Sequence, residues 1–473
     1  MIKIKNIISV ISSVIAASAL VLPAAAQAVT AGDEDELTDG IFYYELNEND
    51  EYTIIDCDGT AIITEIPSVV NGYAVVAIGE DAFAGCTYIS ELYIPSSVRS
   101  IGSGAFASCS SLKSVTIKSN ITELGEGAFM GCANLTDITL PDTLESIEMG
   151  TFYGCESLES ITIPESVTSI GEYAFQRCYS LKEINIPKNV SEFSSEALLE
   201  CPSIEKITAD GNSSFTVENG ILYDSAKTKL IHAAPKGIEQ IIYVPETVTE
   251  IGGSAFCYCE ELTTVFIPES VKRIGDTAFY YCTSLSNVEL FEGLSEIGST
   301  AFGGCKSLTS IKIPSTVQLI DAQAFCDDSQ LERVYMSDGI KTIGEGAFFA
   351  CDNLKNVVVP KSVETIGEYA FGYTANDTEE AALVDGFSMS VNSGSAAEKY
   401  AKRNGIEYNA GDKSLKRLAF MIVAVVVVLA AAVFAVVLMR RGRKLAPAAE
   451  RKAEKEETEN EDYSPIVSED DEE

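Results

Sequence analysis

Thirteen cysteines, one histidine and 71 carboxylates are the side chains of this 473-residue chain that could do chemistry. Cysteines could bridge, hold a metal or act as nucleophiles. A histidine beside a nucleophile could run acyl transfer, and a carboxylate pair could cleave glycosides. Spacing decides among these. Ten cysteines (Cys86, Cys109, Cys132, Cys155, Cys178, Cys201, Cys259, Cys282, Cys305 and Cys351) share one repeating place, three residues after a phenylalanine or its substitute. They are expected to form a buried ladder of free thiols, because a small apolar side chain suits such a place without any bridge. Cys257 and Cys326 share another place, three repeat units apart; at about 4.8 Å per unit that gap is too long for a disulfide. Cys257-Tyr258-Cys259 has no second pair at metal-ligand spacing.

His232 has no serine or cysteine marked out beside it, which speaks against Ser-His or Cys-His catalysis, and a surface or turn position is expected for it. The acidic residues spread over outward places and form no constellation. No glycine-rich loop reads as phosphate-binding. Hence no catalytic residue, metal ligand or cofactor is expected.

All of these residues are positioned by a repeat. Phenylalanine recurs every 23 residues from Phe83 to Phe175 and again from Phe256 to Phe371, with Leu198 filling one gap. In the unit from Cys155 to Arg177, Ile161-Thr162-Ile163 alternates inward and outward as a short strand, and Pro164 ends it by removing a ladder donor. Val167 and Ile170 line the returning side, Gly171 permits a special backbone conformation or a close approach, and Ala174 with Phe175 closes the coil. One coil cannot bury its apolar face alone, so the coils must stack. Twelve are recognisable, giving a length of roughly 60 Å. The one interruption spans residues 202 to 235, where Phe215 to Tyr223 reads as a hairpin turning at Asn219-Gly220.

Units such as Ile-Pro-Glu-Ser-Val-Thr-Ser-Ile-Gly-Glu-Tyr-Ala-Phe, residues 163 to 175, resemble the BspA-like leucine-rich repeats of bacterial and protist surface proteins. The resemblance covers about residues 40 to 408. It implies a solenoid with an adhesion or interaction role and offers no catalytic residues to carry over. The expected fold is an α/β-type solenoid dominated by short parallel β-strands: a right-handed leucine-rich-repeat coil stack with a β N-cap, plus one transmembrane helix.

The ends extend this plan. Lys3 and Lys5, the apolar run Ile7 to Leu22 and the small residues up to Ala28 read as a signal peptide over 1–28. The N-terminal β cap region is expected over 29–75, with strand-like runs at 41–46, 52–56 and 61–66. Repeats fill 76–201 and 236–374 around the insertion, and a C-terminal cap takes 375–408, with a short helix at 395–403. A linker at 409–417 leads to an uncharged 22-residue run, 418–439, long enough to span a membrane. Arg440, Arg441, Arg443 and Lys444 then place the acidic tail, 440–473, in the cytoplasm. The expected location is the cytoplasmic membrane, single-pass, with an extracytoplasmic ectodomain. With +2 on 1–28 and −5 on 440–473, the net charge of −38 leaves −35 for the segment between, which repels nucleic acid.

Outward strand positions are the expected binding face, since the inward set is committed to core. Early coils carry mostly threonine there, which stacks well on a ladder and needs no ligand. Later coils carry Tyr243, Phe266, Glu289, Lys312 and Tyr335, with Arg333 on the same face. Aromatics beside charges suit a protein or glycan ligand. The leading expectation is a non-catalytic, membrane-anchored binding protein of the cell surface, with adhesion or interaction as its role. An envelope scaffold and a glycan-active enzyme are the alternatives. The short linker favours a surface held close to its own membrane.

Overall fold

The computed structural model describes residues 37–118, 120–375 and 381–410. The signal peptide, the membrane span and the tail lie outside these. Among the described residues no helix is long and apolar enough to cross a membrane.

The coils stack on a column of eleven fully buried phenylalanines. Successive rings from Phe83 to Phe175 lie 5.0 to 5.8 Å apart, and those from Phe256 to Phe371 lie 4.9 to 5.2 Å apart, nearly parallel except for the first pair. Offset stacking of this kind adds about 0.5–1.5 kcal/mol per pair to the burial itself. Beside the rings run the ten ladder cysteines, all buried. Eight of them donate S–H to the carbonyl of the phenylalanine one coil earlier, at 3.0 to 3.3 Å. Cysteine thus fills a small apolar place and also satisfies an inward carbonyl. In the coil of Phe325 the place belongs to Asp328, which is fully buried and accepts the Cys305 N–H at 2.7 Å. Burial pushes its carboxyl well above the usual range.

The longest hydrogen-bonded sheets lie on the returning side, not on the strand face. Two-residue strands such as Ser146–Ile147 and Ser169–Ile170 pair in parallel within a ten-stranded sheet, and their counterparts after the insertion belong to a nine-stranded one. The outward face is broken into short sheets, among them Glu91–Ile94 with Ser114–Ile117 and Asp137–Thr139, and Ile241–Tyr243 with Thr264–Phe266 and Asn287–Glu289. Residues 161–163, expected as a strand, form none, although Ile163 is buried. Burial of the inward aliphatics holds the chain there without a ladder. Nor is the coil of α/β type. Its return is made of two-residue strands and turns, with no helix, and the one helix among the described residues is Ala396–Asn404 at the end of the stack. Ser395 caps that helix at its start and Gly405, at φ +67°, at its end.

Two requirements shape the turns. The residue two before each of the eleven column phenylalanines is left-handed, with φ between +53° and +62°, whether it is Gly104, Tyr173 or Thr277. The glycine that follows the returning strand, after Ile in most coils and after Leu124 in one, answers a different need, close approach. A Cβ on Gly125 would sit 2.3 Å from the Ser103 nitrogen of the previous coil. Other coils carry Glu148, Ser194 or Asp321 at this place, so the contact belongs to particular coil pairs.

The insertion is a partition. Phe215–Glu218, Ile221–Asp224 and Lys229–Ala233 form an antiparallel unit, turning at Asn219 and Gly220 with φ +51° and +76°. Leu222 and Ile231 pack into the core of the first half, Ile221, Tyr223 and Leu230 into that of the second. At the start of the stack Phe42–Leu46 and Tyr52–Cys57 cap the column, with Phe42 set edge-on to Phe83 at 5.9 Å. The third expected cap run forms no strand; Glu65 makes a single parallel bridge to Tyr93, and Tyr73–Ile78 supplies the strand.

Gly125→Ala is expected to destabilise the stack by about 1–3 kcal/mol through overpacking. Gly59→Ala, with nothing within 4 Å of the new methyl, should be near neutral. Urea unfolding midpoints of the two variants distinguish them, and equal midpoints would remove the close-approach account.

Candidate functional site

The insertion interrupts the outward face just before Ile241, leaving Ile241–Tyr243 as the edge of its three-stranded sheet. Tyr243 is paired with Phe266, and Phe266 with Glu289. Parallel pairing one strand spacing apart brings the rings of Tyr243 and Phe266 to 4.7 Å, with planes 10° apart. Tyr243 is 58% exposed and Ile241, two residues earlier on the same face, 46%, while Phe266 is half-buried. These three side chains make an apolar ledge with Glu289 at its end.

Lys312 and Tyr335 are paired in the adjoining two-stranded sheet, Ser310–Ile313 with Arg333–Met336. Lys312 and Arg333 are exposed, and the Arg333 guanidinium lies 3.0 Å from Glu332. The six predicted residues therefore fall into two registers on one face: Tyr243, Phe266 and Glu289 in the first, Lys312, Arg333 and Tyr335 in the second.

A second aromatic cluster lies along the turn that follows the phenylalanine column. There Gly131, Gly154 and Gly304 take left-handed φ in some coils, but Arg177, Glu200, Tyr258 and Tyr281 take it in others. Tyr258 stacks on Tyr281 at 5.2 Å, Lys306 lies over Tyr281 and Arg177 over Tyr153. Glu200, almost fully buried, accepts from Gln176 at 3.0 Å and Arg177 at 3.1 Å. Bulky residues in left-handed backbone cost roughly 1–2 kcal/mol each, so a contact must repay them. Much of that contact is internal: Leu199, Cys257 and Tyr280 pack together beneath and join the coils on either side of the insertion. The replacement of glycine by a large residue at one repeat place was the available sequence signal, and the reading of the strand face passed over it.

Among the described residues no group of three or more His, Cys, Asp or Glu side chains is placed to hold a metal. The comparisons with known proteins agree with this arrangement of coils. The family described as BspA type leucine rich repeat region matches residues 76–205 and 249–377 in six copies. The chain belongs to this family. A leucine rich cell surface protein from Faecalibacterium prausnitzii is 27% identical, the match covering 81% of this chain and all of that one, with a TM-score of 0.55. A leucine-rich repeat protein from Eubacterium ventriosum, 24% identical over 71% of this chain and 93% of its own, has a TM-score of 0.53. The pneumococcal vaccine antigen PcpA, 16% identical over 80% of this chain and 98% of its own, reaches 0.50. The last two show the fold alone. A comparison with curated protein sequences gave no match.

As a BspA-type repeat protein the chain is one of a class of repeat scaffolds that generally bind and do not catalyse. His232 fits that picture, though not in the surface or turn position expected for it. It lies in Lys229–Ala233 and is 1% exposed, because the partition strands are covered on both faces. Neither ring nitrogen has a full hydrogen bond. Burial pushes its pKa down to about 4, which the nearby Ser254 backbone opposes only in part.

The sign of the consequence follows from linkage. Above pH 6.5 the ring is neutral both folded and unfolded, so stability is intact. As pH falls from 6.5 toward 4 only the unfolded chain takes up the proton, and stability declines; below 4 the loss is complete at roughly 3 kcal/mol. The unfolding free energy of wild type relative to His232→Leu should therefore drop by about that amount between pH 7 and pH 4. A pH-independent difference would rule out a buried neutral imidazole.

Proposed function

We propose that the chain is a membrane-anchored binding protein whose ectodomain, outside the cytoplasm, presents the later coils of its strand face to a protein or glycan ligand. The observation that carries this reading is the exposed ledge of Tyr243 stacked on Phe266 beside Ile241. Stacked rings with an open apolar edge offer area at little entropic cost, and the phenol supplies a polar handle. Glu289, Lys312 and Arg333 add charges of both signs along the face, which set orientation more than affinity.

Anchoring rests on the order of segments in the sequence: a leader-like N-terminus, the apolar run 418–439 and the basic cluster after it. The similarity to a leucine rich cell surface protein supports the same location. A net charge near −35 before the span makes neutral or basic partners the natural class and nucleic acid a poor one. No residue is assigned to catalysis.

A glycan array and a pull-down from envelope proteins with residues 29–410 would supply the ligand. Tyr243→Ala and Phe266→Ala are each expected to weaken its binding about tenfold or more, the range of aromatic hot spots. Tyr93→Ala, at the same repeat place in an early coil, should leave it unchanged. Full affinity in a folded Tyr243→Ala, Phe266→Ala double variant would remove the ledge from the interface.

A further inference from the structure

Cys57 stands outside the cysteine ladder. It ends the cap strand Tyr52–Cys57, directly opposite Phe42, and its Sγ lies 2.9 Å from the Sγ of Cys86 in the first coil. Eight ladder thiols after Cys86 give their S–H to a phenylalanine carbonyl one coil earlier, but no phenylalanine coil precedes Cys86. The cap sulfur occupies that side instead. Cys57 and Cys86 are also slightly more open than the nine remaining ladder cysteines, at 7% and 5% exposure against 0 to 3%.

From this we propose that Cys57 and Cys86 form a disulfide that staples the N-terminal cap to the first coil, while the remaining cysteines stay as thiols. The oxidant is a disulfide donor: glutathione disulfide, or the exposed disulfide of an extracytoplasmic oxidoreductase. Cys86 as thiolate attacks one donor sulfur, forming a mixed disulfide and expelling the other donor sulfur as a thiol. Cys57 then loses its proton and attacks the Cys86 sulfur, forming the Cys57–Cys86 bond and releasing the second donor thiol. Two protein thiols become one cystine, and one donor disulfide becomes two thiols. Cys86 is the better attacker: the S–H of Cys57 holds its pKa below the usual thiol value, against burial and the charges of Asp56 and Asp58. Cys57, by the same contact and by burial, is pushed up and suits the resolving step.

A staple has a purpose at this place. A solenoid exposes its core at each end, and its terminal coil is held by one neighbour only. Here the cap covers Phe83 with Phe42, and a bond from the strand partner of Phe42 to the residue three after Phe83 would resist fraying of the column at its start. The pairing rests on the cap geometry and not on the ligand-binding reading. Its occurrence in the cell rests on export, which the test below leaves aside.

Purified full-length chain, reduced and then incubated with glutathione disulfide, is denatured in iodoacetamide and mapped by peptide mass. The expected product is one linked peptide pair containing Cys57 and Cys86, two hydrogens lighter than the separate peptides, with the other cysteines alkylated. Cys57→Ser should trap glutathione on Cys86 as a stable adduct, the step that wild type resolves. Alkylation of Cys57 and Cys86 in wild type, or a bridge from Cys86 to Cys109, overturns the proposal. On the oxidised chain, reduction should lower the melting temperature by several degrees, with no such shift in Cys57→Ser. An unchanged melting temperature overturns the stapling role even where the bond forms.

Discussion

Each coil must lie one strand spacing, about 4.8 Å, from its neighbours around much of its circumference, and the chemistry of the repeat follows from that spacing. Phenylalanine rings 4.9 to 5.8 Å apart fit it as an offset stack. A thiol reaches the carbonyl one coil earlier at about 3 Å, which serine would also do at the cost of a hydroxyl in an apolar column. Where two backbones approach still more closely, even a methyl group collides, as at Gly125 and Gly367. The same constraint fixes two turn corners in left-handed conformation, and it holds tyrosine, threonine and glutamine there as well as glycine. Backbone geometry here is imposed by neighbours and not chosen by local preference.

A structure built from one contact made many times has its exceptions where the contact stops. At the start of the stack the ladder thiol of Cys86 meets a cap sulfur. At the insertion the hairpin strands replace a coil and show alternate residues to two separate cores, and the strand face ends at an open edge beside Tyr243. Within the second half, Asp328 takes a cysteine place and keeps a buried carboxyl. The candidate binding ledge and the proposed staple both sit at such breaks, because only there are side chains not committed to repeating the stack.

The parts legible in the sequence were those with a long period. The phenylalanine spacing gives the stack and the core column, and alternation around Ile242 and Val265 gives the outward side chains, so Tyr243, Phe266 and Glu289 share a face as their register shows. Shorter signals failed. A strand of two residues such as Ser169–Ile170 is too brief to show a period, so the longest sheets went unread. Ile161-Thr162-Ile163 has the alternation of a strand yet makes none, since alternation reports burial and not pairing. His232 sits in a segment rich in turn residues, and its burial depends on its strand lying between Ile221–Asp224 and the returning strand at Glu250–Ile251, pairings that a single sequence does not reveal.

Identical stacking also has an electrostatic cost. A carboxylate at one repeat place would face its copies at about 4.8 Å above and below, and such like-charge columns oppose association. The sequence breaks them with cations one repeat apart. Lys182 meets Glu159, Lys341 meets Glu364, and Arg273 lies between Glu250 and Glu296. Each exposed pair contributes little by itself, on the order of 0–1 kcal/mol. Their effect is local: each places a cation where the next coil would otherwise set a second carboxylate beside the first. Much of the small supply of basic side chains is spent in this way, inside the stack's own surface. The charge left over is negative, so the cations on the strand face, such as Lys206, Lys312 and Arg333, stand out against an acidic surface that disfavours polyanions.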